Sequence, residues 1–167
     1  MTCVKPAPMR VLRARHSAVL AAAWCLAALG AVLPATAWAQ TGPQPRLPTT
    51  TLGAGMHKIV AELAVTPQQQ ATGMMMRREM GASEGMLFVN DTPGVRCFWM
   101  RNTLIPLTIA FVADDGRIVN LADMQPQSDQ EHCSAEPVRF ALEMRQGWFA
   151  KRNIRAGFKL SGPPFKP

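Results

Sequence analysis

Arg101-Asn102-Thr103 interrupts the most apolar stretch outside the N-terminus, residues 97–112, which reads C-F-W-M-R-N-T-L-I-P-L-T-I-A-F-V. A polar triplet between two buried runs is either a turn whose side chains tie up loose backbone groups, or a site whose donors are aimed by rigid strands. The residue types suit recognition of a small polar or anionic group. Arg101 and Arg77 carry planar guanidinium forks that fit carboxylate or phosphate. Trp99 offers a stacking face and Met75 an adaptable apolar wall, while Asn102 can donate and accept and Glu143 supplies an acid. Met75, Arg77, Trp99, Arg101, Asn102 and Glu143 are therefore the expected lining of a shallow cleft for a small molecule, a glycan or a peptide. A structural ion pair, such as Arg101 with Glu143, is the competing use of the same residues.

Other chemistries have weaker support. Glu143 with Asp123 or Glu84 could act as acid and base in a small hydrolase, which needs two carboxyls roughly 5 to 9.5 Å apart across a cleft. Nine of the 11 methionines follow residue 39, and thioethers suit Cu(I), with Met76 and Met80, or Met74 and His57, as ligands. Met74, Met75 and Met76 cannot all face one ion on an extended chain, and methionine also fills irregular cores. His57 and His132 stand far apart, with no H-x-H or H-E-x-x-H, so a zinc site is not expected. No G-x-S-x-G occurs, and His132 beside Cys133 is poorly placed to act on that thiol. The expectation is a non-catalytic binding module without metal or cofactor, with a purely structural assembly protein as a third class.

The N-terminus reads as a secretory leader. Lys5, Arg10, Arg13 and Arg15 form a basic start, residues 18–33 are apolar, and Ala37-Trp38-Ala39 has the small residues a signal peptidase reads. Cleavage after Ala39 would leave 14 basic against 11 acidic side chains, a net of +3, so the formal +7 of the whole chain is no argument for nucleic-acid binding. The apolar run is shorter than the ~20 residues of a spanning helix, so no stable membrane anchor is expected after cleavage. Export places Cys97 and Cys133 in an oxidising compartment, periplasmic or secreted, where two remaining cysteines suggest one disulfide. That bridge would pin the polar loop 125–137 over the central stretch and bring His132 near the cleft.

The elements that must position these groups are mostly strands. Residues 40–55, rich in Pro, Thr and Gly, read as a flexible linker, and the domain as 56–160. Ile59, Ala61 and Leu63 alternate with Lys58, Val60 and Glu62 as a strand. Thr66-Pro67-Gln68-Gln69 is a capping-box pattern opening a short helix that Gly73 ends. Residues 86–89 read as a buried strand followed by a turn over 90–94, and 97–112 as strand, tight polar corner and strand. Asp114-Asp115-Gly116 turns the chain into a returning strand, and 138–144 forms another. Residues 147–153 make one or two helical turns, and 161–167 read as a loose tail. Short strands spaced by turns predict a mainly β, sandwich- or barrel-like single domain with one or two short helices.

Three segments carry a family pattern. Gly73-Met74-Met75-Met76-Arg77, Gly85-Met86-Leu87-Phe88 and Phe98-Trp99-Met100-Arg101-Asn102-Thr103 with Ile105-Pro106-Leu107 closely resemble the DUF192 family, also called UPF0127. Asp114-Asp115-Gly116 and Leu142-Glu143 fit its later positions. The resemblance implies a compact β-rich domain, often exported, and no established activity. Arg101 stands for the usual Lys, Thr108 for the usual Asp, and Phe158 where an acid is common after Gly157. These departures argue against a carboxylate enzyme or a hard-metal site shared by the family.

Overall fold

The computed structural model describes residues 42–166, so the expected leader and its cleavage after Ala39 lie outside the described residues. Strands β1 (Thr49–Ala54) and β2 (His57–Ala64) form a hairpin in which Ala54 faces His57 across a two-residue turn opened by Gly55 at φ 63°. Helix α1 (Pro67–Thr72) follows. Thr66 Oγ1 accepts from the Gln69 N–H, and the Gln69 side chain accepts from the Thr66 N–H, so both halves of the capping box are made. Gly73 ends the helix at φ 48°, a conformation most side chains resist. The excursion through α1 lets β3 (Glu84–Gly94) run parallel to β2.

After β3 come β4 (Cys97–Phe98), β5 (Leu107–Val112), β6 (Ile118–Met124), β7 (His132–Cys133), β8 (Val138–Arg145) and a 3-10 turn at Ala150–Arg152. Six strands make one sheet in the order β1-β2-β3-β8-β5-β6, and β4 pairs with β7 in a separate two-stranded ribbon. The chain end closes the large sheet. Gly53 exchanges two hydrogen bonds of 2.9 Å with Ser161, while Ile118 and Leu160 bond to Phe158 and Gly116. The two edge strands, β1 and β6, are thereby joined through one segment, which gives the mainly β domain its barrel-like closure.

Both faces of the sheet are covered. Leu52, Ile59, Leu87, Val112, Phe140, Leu142 and Met144 pack on the inner face with Trp148 and Phe149. Met86, Phe88, Ile109, Phe111 and Ala141 pack on the outer face beneath Met74, Met80 and Met100. All six residues of β5 are buried, which is why that strand reads as an apolar run broken only by Thr108 rather than an alternating one.

Several boundaries differ from expectation. Residues 49–54, placed in the linker, form β1, and residues 44–48 are bound to the domain by polar groups and by Leu47, which packs against the outer core cluster. Gln44 donates to the Gly73 carbonyl at 2.8 Å, the Leu63 N–H donates to Pro48, and Arg46 pairs with Glu62 at 2.8 Å. A composition poor in large apolar residues could not reveal this. The tail from 161 is docked: Ser161 pairs with Gly53, and the Phe165 ring meets Phe140 edge-on at 5.2 Å. Strand β3 extends through the predicted turn to Gly94 by way of an irregularity. The central stretch holds strand only at 97–98 and 107–112, because Pro106 has no N–H for a ladder and Asn102 takes φ 58°. No helix among the described residues is long and apolar enough to cross a membrane.

Candidate functional site

A cavity of about 410 Å³ lies on the outer face of the sheet. Phe88 and Asn90 of β3 and Glu143 of β8 belong to its sheet side, with Glu143 between Met86 and Ile109 in register. Gln70 to Met75, from α1 and the turn after it, form one wall. Val95 to Trp99, leading into and beyond β4, form the other, and Thr103 closes the corner. The Phe88 and Phe98 rings meet edge-on at 4.8 Å inside this wall. Trp99 and Val95 remain largely exposed, which puts apolar surface at the mouth.

The β4–β7 ribbon is locked by the predicted disulfide. Cys97 and Cys133 are directly opposed, bonded, with Cα atoms 4.0 Å apart. His132 pairs with Phe98 in the same ribbon and so sits behind the cavity wall. The Ser134 N–H donates to the Arg96 carbonyl, and Ser134 Oγ accepts from the Arg96 N–H, which ties the loop to the wall beyond the bridge.

Glu143 is the unusual group. It is 4% exposed, and its Oε2 has no hydrogen-bond partner among the described residues. Burial alone pushes its carboxyl up to about 8, so it holds its proton at neutral pH. The nearby donors are turned back into the fold. Gln70 Nε2 donates to the carbonyls of Val89 and Ala64, Asn90 Nδ2 to Arg139, and Arg96 Nη2 to Thr92.

Of the six residues expected in one cleft, Met75, Trp99 and Glu143 line this cavity together, and Arg77, Arg101 and Asn102 do not. Arg77 is buried in a bidentate pair with Glu62, at 2.6 and 2.8 Å. Burial works to raise the Glu62 carboxyl, but bonds from Arg77, the Leu47 N–H and Arg46 outweigh it and hold the group below its ordinary value. Arg101 is exposed, bonded to Asp129 at 2.8 Å and stacked 4.5 Å over the Trp99 ring. Asn102 shapes the corner, and its carbonyl accepts from the Met76 N–H. The expected structural Arg–Glu pair thus exists as Arg77–Glu62, not as Arg101–Glu143, and Glu143 Oε2 has no partner among the described residues. Val95, Arg96, Phe88 and Phe98 also line the cavity, although they are not among the six residues expected there. Strand β4 ends at Phe98, so strand alternation does not separate Phe98 from Trp99 and both reach the cavity.

The paired-carboxylate reading loses its geometry. Asp123 bonds Thr108 on the inner face, and Glu84 bonds Arg46 and the Gly81 N–H at the start of β3. Among the described residues Glu143 is the one acid lining this cavity. Met74, Met80, Met86, Met100 and Met124 are core-forming, and His57 packs against Trp148 of the inner cluster while Met74 belongs to the outer one. The one cluster of His, Cys, Asp and Glu with metal-like spacing among the described residues is Cys97, Glu131 and Cys133, whose two sulfurs are bonded to each other.

Comparison with known proteins agrees with the fold and is silent on activity. A "putative transcription regulator" from Sinorhizobium meliloti is 32% identical, with a TM-score of 0.68 over 71% of this chain and 97% of that one. A protein of unknown function from Novosphingobium aromaticivorans is 40% identical, with a TM-score of 0.64 over 69% of this chain and 84% of that one. No curated protein matches the chain. Residues 49–162 match DUF192, described as "Uncharacterized ACR". That span runs from the first residue of β1 to just past the segment that closes the sheet. The three sequence segments that carry the family resemblance also frame the cavity, and the chain belongs to the DUF192 family.

Proposed function

We propose that this protein is a non-catalytic binding module for a small ligand with an apolar body and a polar head, held in the cavity over Glu143. One observation carries the reading: a buried carboxyl whose Oε2 has no partner among the described residues, beside a cavity of about 410 Å³ walled by aromatic and methionine side chains. A folded protein leaves a buried polar group unsatisfied at a cost of roughly 1 to 3 kcal/mol, and a ligand that meets it recovers that cost. The two cations first expected to hold an anion, Arg77 and Arg101, are engaged with Glu62 and Asp129, so an anionic ligand loses its support. The leader-like N-terminus and the exposed disulfide favour an exported protein, with a ligand drawn from the envelope or its surroundings.

The test is a thermal-shift and ligand-observed NMR screen of glycan fragments, short peptides and small amines, alcohols and acids. It compares the natural protein with Ala71→Trp. Ala71 is exposed on α1 and lines the cavity, so the indole fills the space at little cost to the fold. Ligands of this site bind the natural protein and lose binding in the variant. Ligands that bind both equally place the site elsewhere and sink the reading.

A further inference from the structure

Resting on that cavity as the binding site, we infer that its ligand is an organic cation: one protonated amine set against Glu143, with an apolar body lying along Phe88, Phe98 and Trp99. Recognition of a sugar or an amide takes several converging donors and acceptors. Here the side-chain donors of Gln70 and Asn90 and the Nη2 of Arg96 are committed to backbone carbonyls. Of the lining side chains, the buried polar atoms without a hydrogen-bond partner among the described residues are Glu143 Oε2 and Arg96 Nε, and the Arg96 guanidinium is folded over Gly94. A single acid among aromatic rings matches a ligand with a single basic head, which gains an ion pair from the carboxylate and attraction from the ring faces.

The charged surroundings of Glu143 are few. Its ladder neighbours are Met86 of β3 and Ile109 of β5, both apolar. Helix α1 and its turn present Gln70, Thr72 and methionines, and the corner presents Thr103. Arg96 is the other charged residue of the lining, and its guanidinium folds back over Gly94 to the Thr92 carbonyl. An empty site therefore rests with a neutral carboxyl, and no buried charge has to be sustained without a partner. Entry of an ammonium ion makes the carboxylate the favoured form, and the proton leaves to solvent. Charge balances: one cation enters, one proton departs.

This coupling fixes the sign of the pH dependence. A carboxyl that titrates at about 8 gives up nearly one proton when it binds a cation at pH 7. Affinity for the cation rises about tenfold per pH unit below that value and levels off above it. A neutral ligand that accepts a hydrogen bond from the protonated acid behaves oppositely, with constant affinity below and falling affinity above.

Calorimetric titration of the full chain with n-hexylamine, hexan-1-ol and hexanoate, from pH 6 to 9 in buffers of different ionisation enthalpy, separates these cases. The amine stays protonated throughout, as a lysine side chain would (pKa ~10.4). The expected result is preferential binding of the amine, strengthening about tenfold per unit up to pH 8, with release of close to one proton at pH 7. Glu143→Gln, a near-isosteric change to a side chain that cannot ionise, should fold and lose the amine preference at least tenfold. Equal or tighter binding of hexan-1-ol or hexanoate overturns the inference but leaves the cavity as a binding site. Binding of none of the three also overturns it, and the broader reading then stands or falls on the screen with Ala71→Trp.

Discussion

A carboxyl group taken out of water keeps its proton unless a partner stabilises its charge, and Glu143 has no such partner for Oε2 among the described residues. Its folded value of about 8 lies above the ordinary 4.5, so between them the folded chain holds a proton that the unfolded chain has released. Stability attributable to this group is fully present below the ordinary value and falls as pH rises, by about 1.4 kcal/mol per unit, until it levels off near the folded one. Glu143→Gln removes the slope: urea unfolding should show the variant matching the natural protein near pH 4 and exceeding it near pH 8. The buried Arg77–Glu62 pair contrasts with the exposed Arg101–Asp129 pair. Arg77→Met should cost roughly 3 kcal/mol, at the low end for a broken buried pair because Arg46 still faces Glu62. Arg101→Ala should leave urea unfolding unchanged. Residue types told the sequence reading which groups could do chemistry. They could not tell which cation would meet which anion, because Glu62 lies on a strand whose partner loop returns only in three dimensions.

The capping box of α1, the hairpin turn at 114–116 and the strand over 138–144 were legible because each is set by local rules of turn chemistry and periodicity. The disulfide was legible for a different reason: only two cysteines follow residue 39, and a polar loop needs an anchor. The ribbon it locks was not, since strands of two residues leave no periodicity to read. Nor was β1, whose Thr- and Gly-rich sequence resembles a linker until β2 is laid beside it. Replacing both Cys97 and Cys133 by Ser opens a 36-residue connection and should lower the unfolding free energy by about 3 to 4 kcal/mol through loop-closure entropy. Because Cys97 lines the cavity, amide exchange over 95–99 should accelerate in the same variant, well before global unfolding.

At the scale of the molecule, the sheet depends on its C-terminal segment. Gly116 takes φ 87°, and a Cβ there would run into the Leu160 carbonyl, so the closing segment and the 114–116 turn fit only without a side chain. Removing 157–167 would strip the buried Leu160 from the inner core, a loss of roughly 1.5 to 3 kcal/mol for that side chain alone, and would leave the β1 and β6 edges unpaired. Light scattering should then show a larger mean particle size for the truncated chain than for the full chain at the same concentration. Closing the sheet on its inner face leaves the outer face to α1, the methionine loop and the ribbon, and the cavity is the gap between those covers. The proposed ligand chemistry requires Glu143 to be desolvated beside that gap. NMR-detected titration of the Glu143 side-chain carboxyl carbon tests this directly. It should give a midpoint near 8 in the free protein, shifted downward by n-hexylamine and not by hexan-1-ol. A midpoint near 4.5, unmoved by either compound, would mean that water reaches and stabilises the carboxylate, and would contradict both the cavity's chemistry and the ligand class drawn from it.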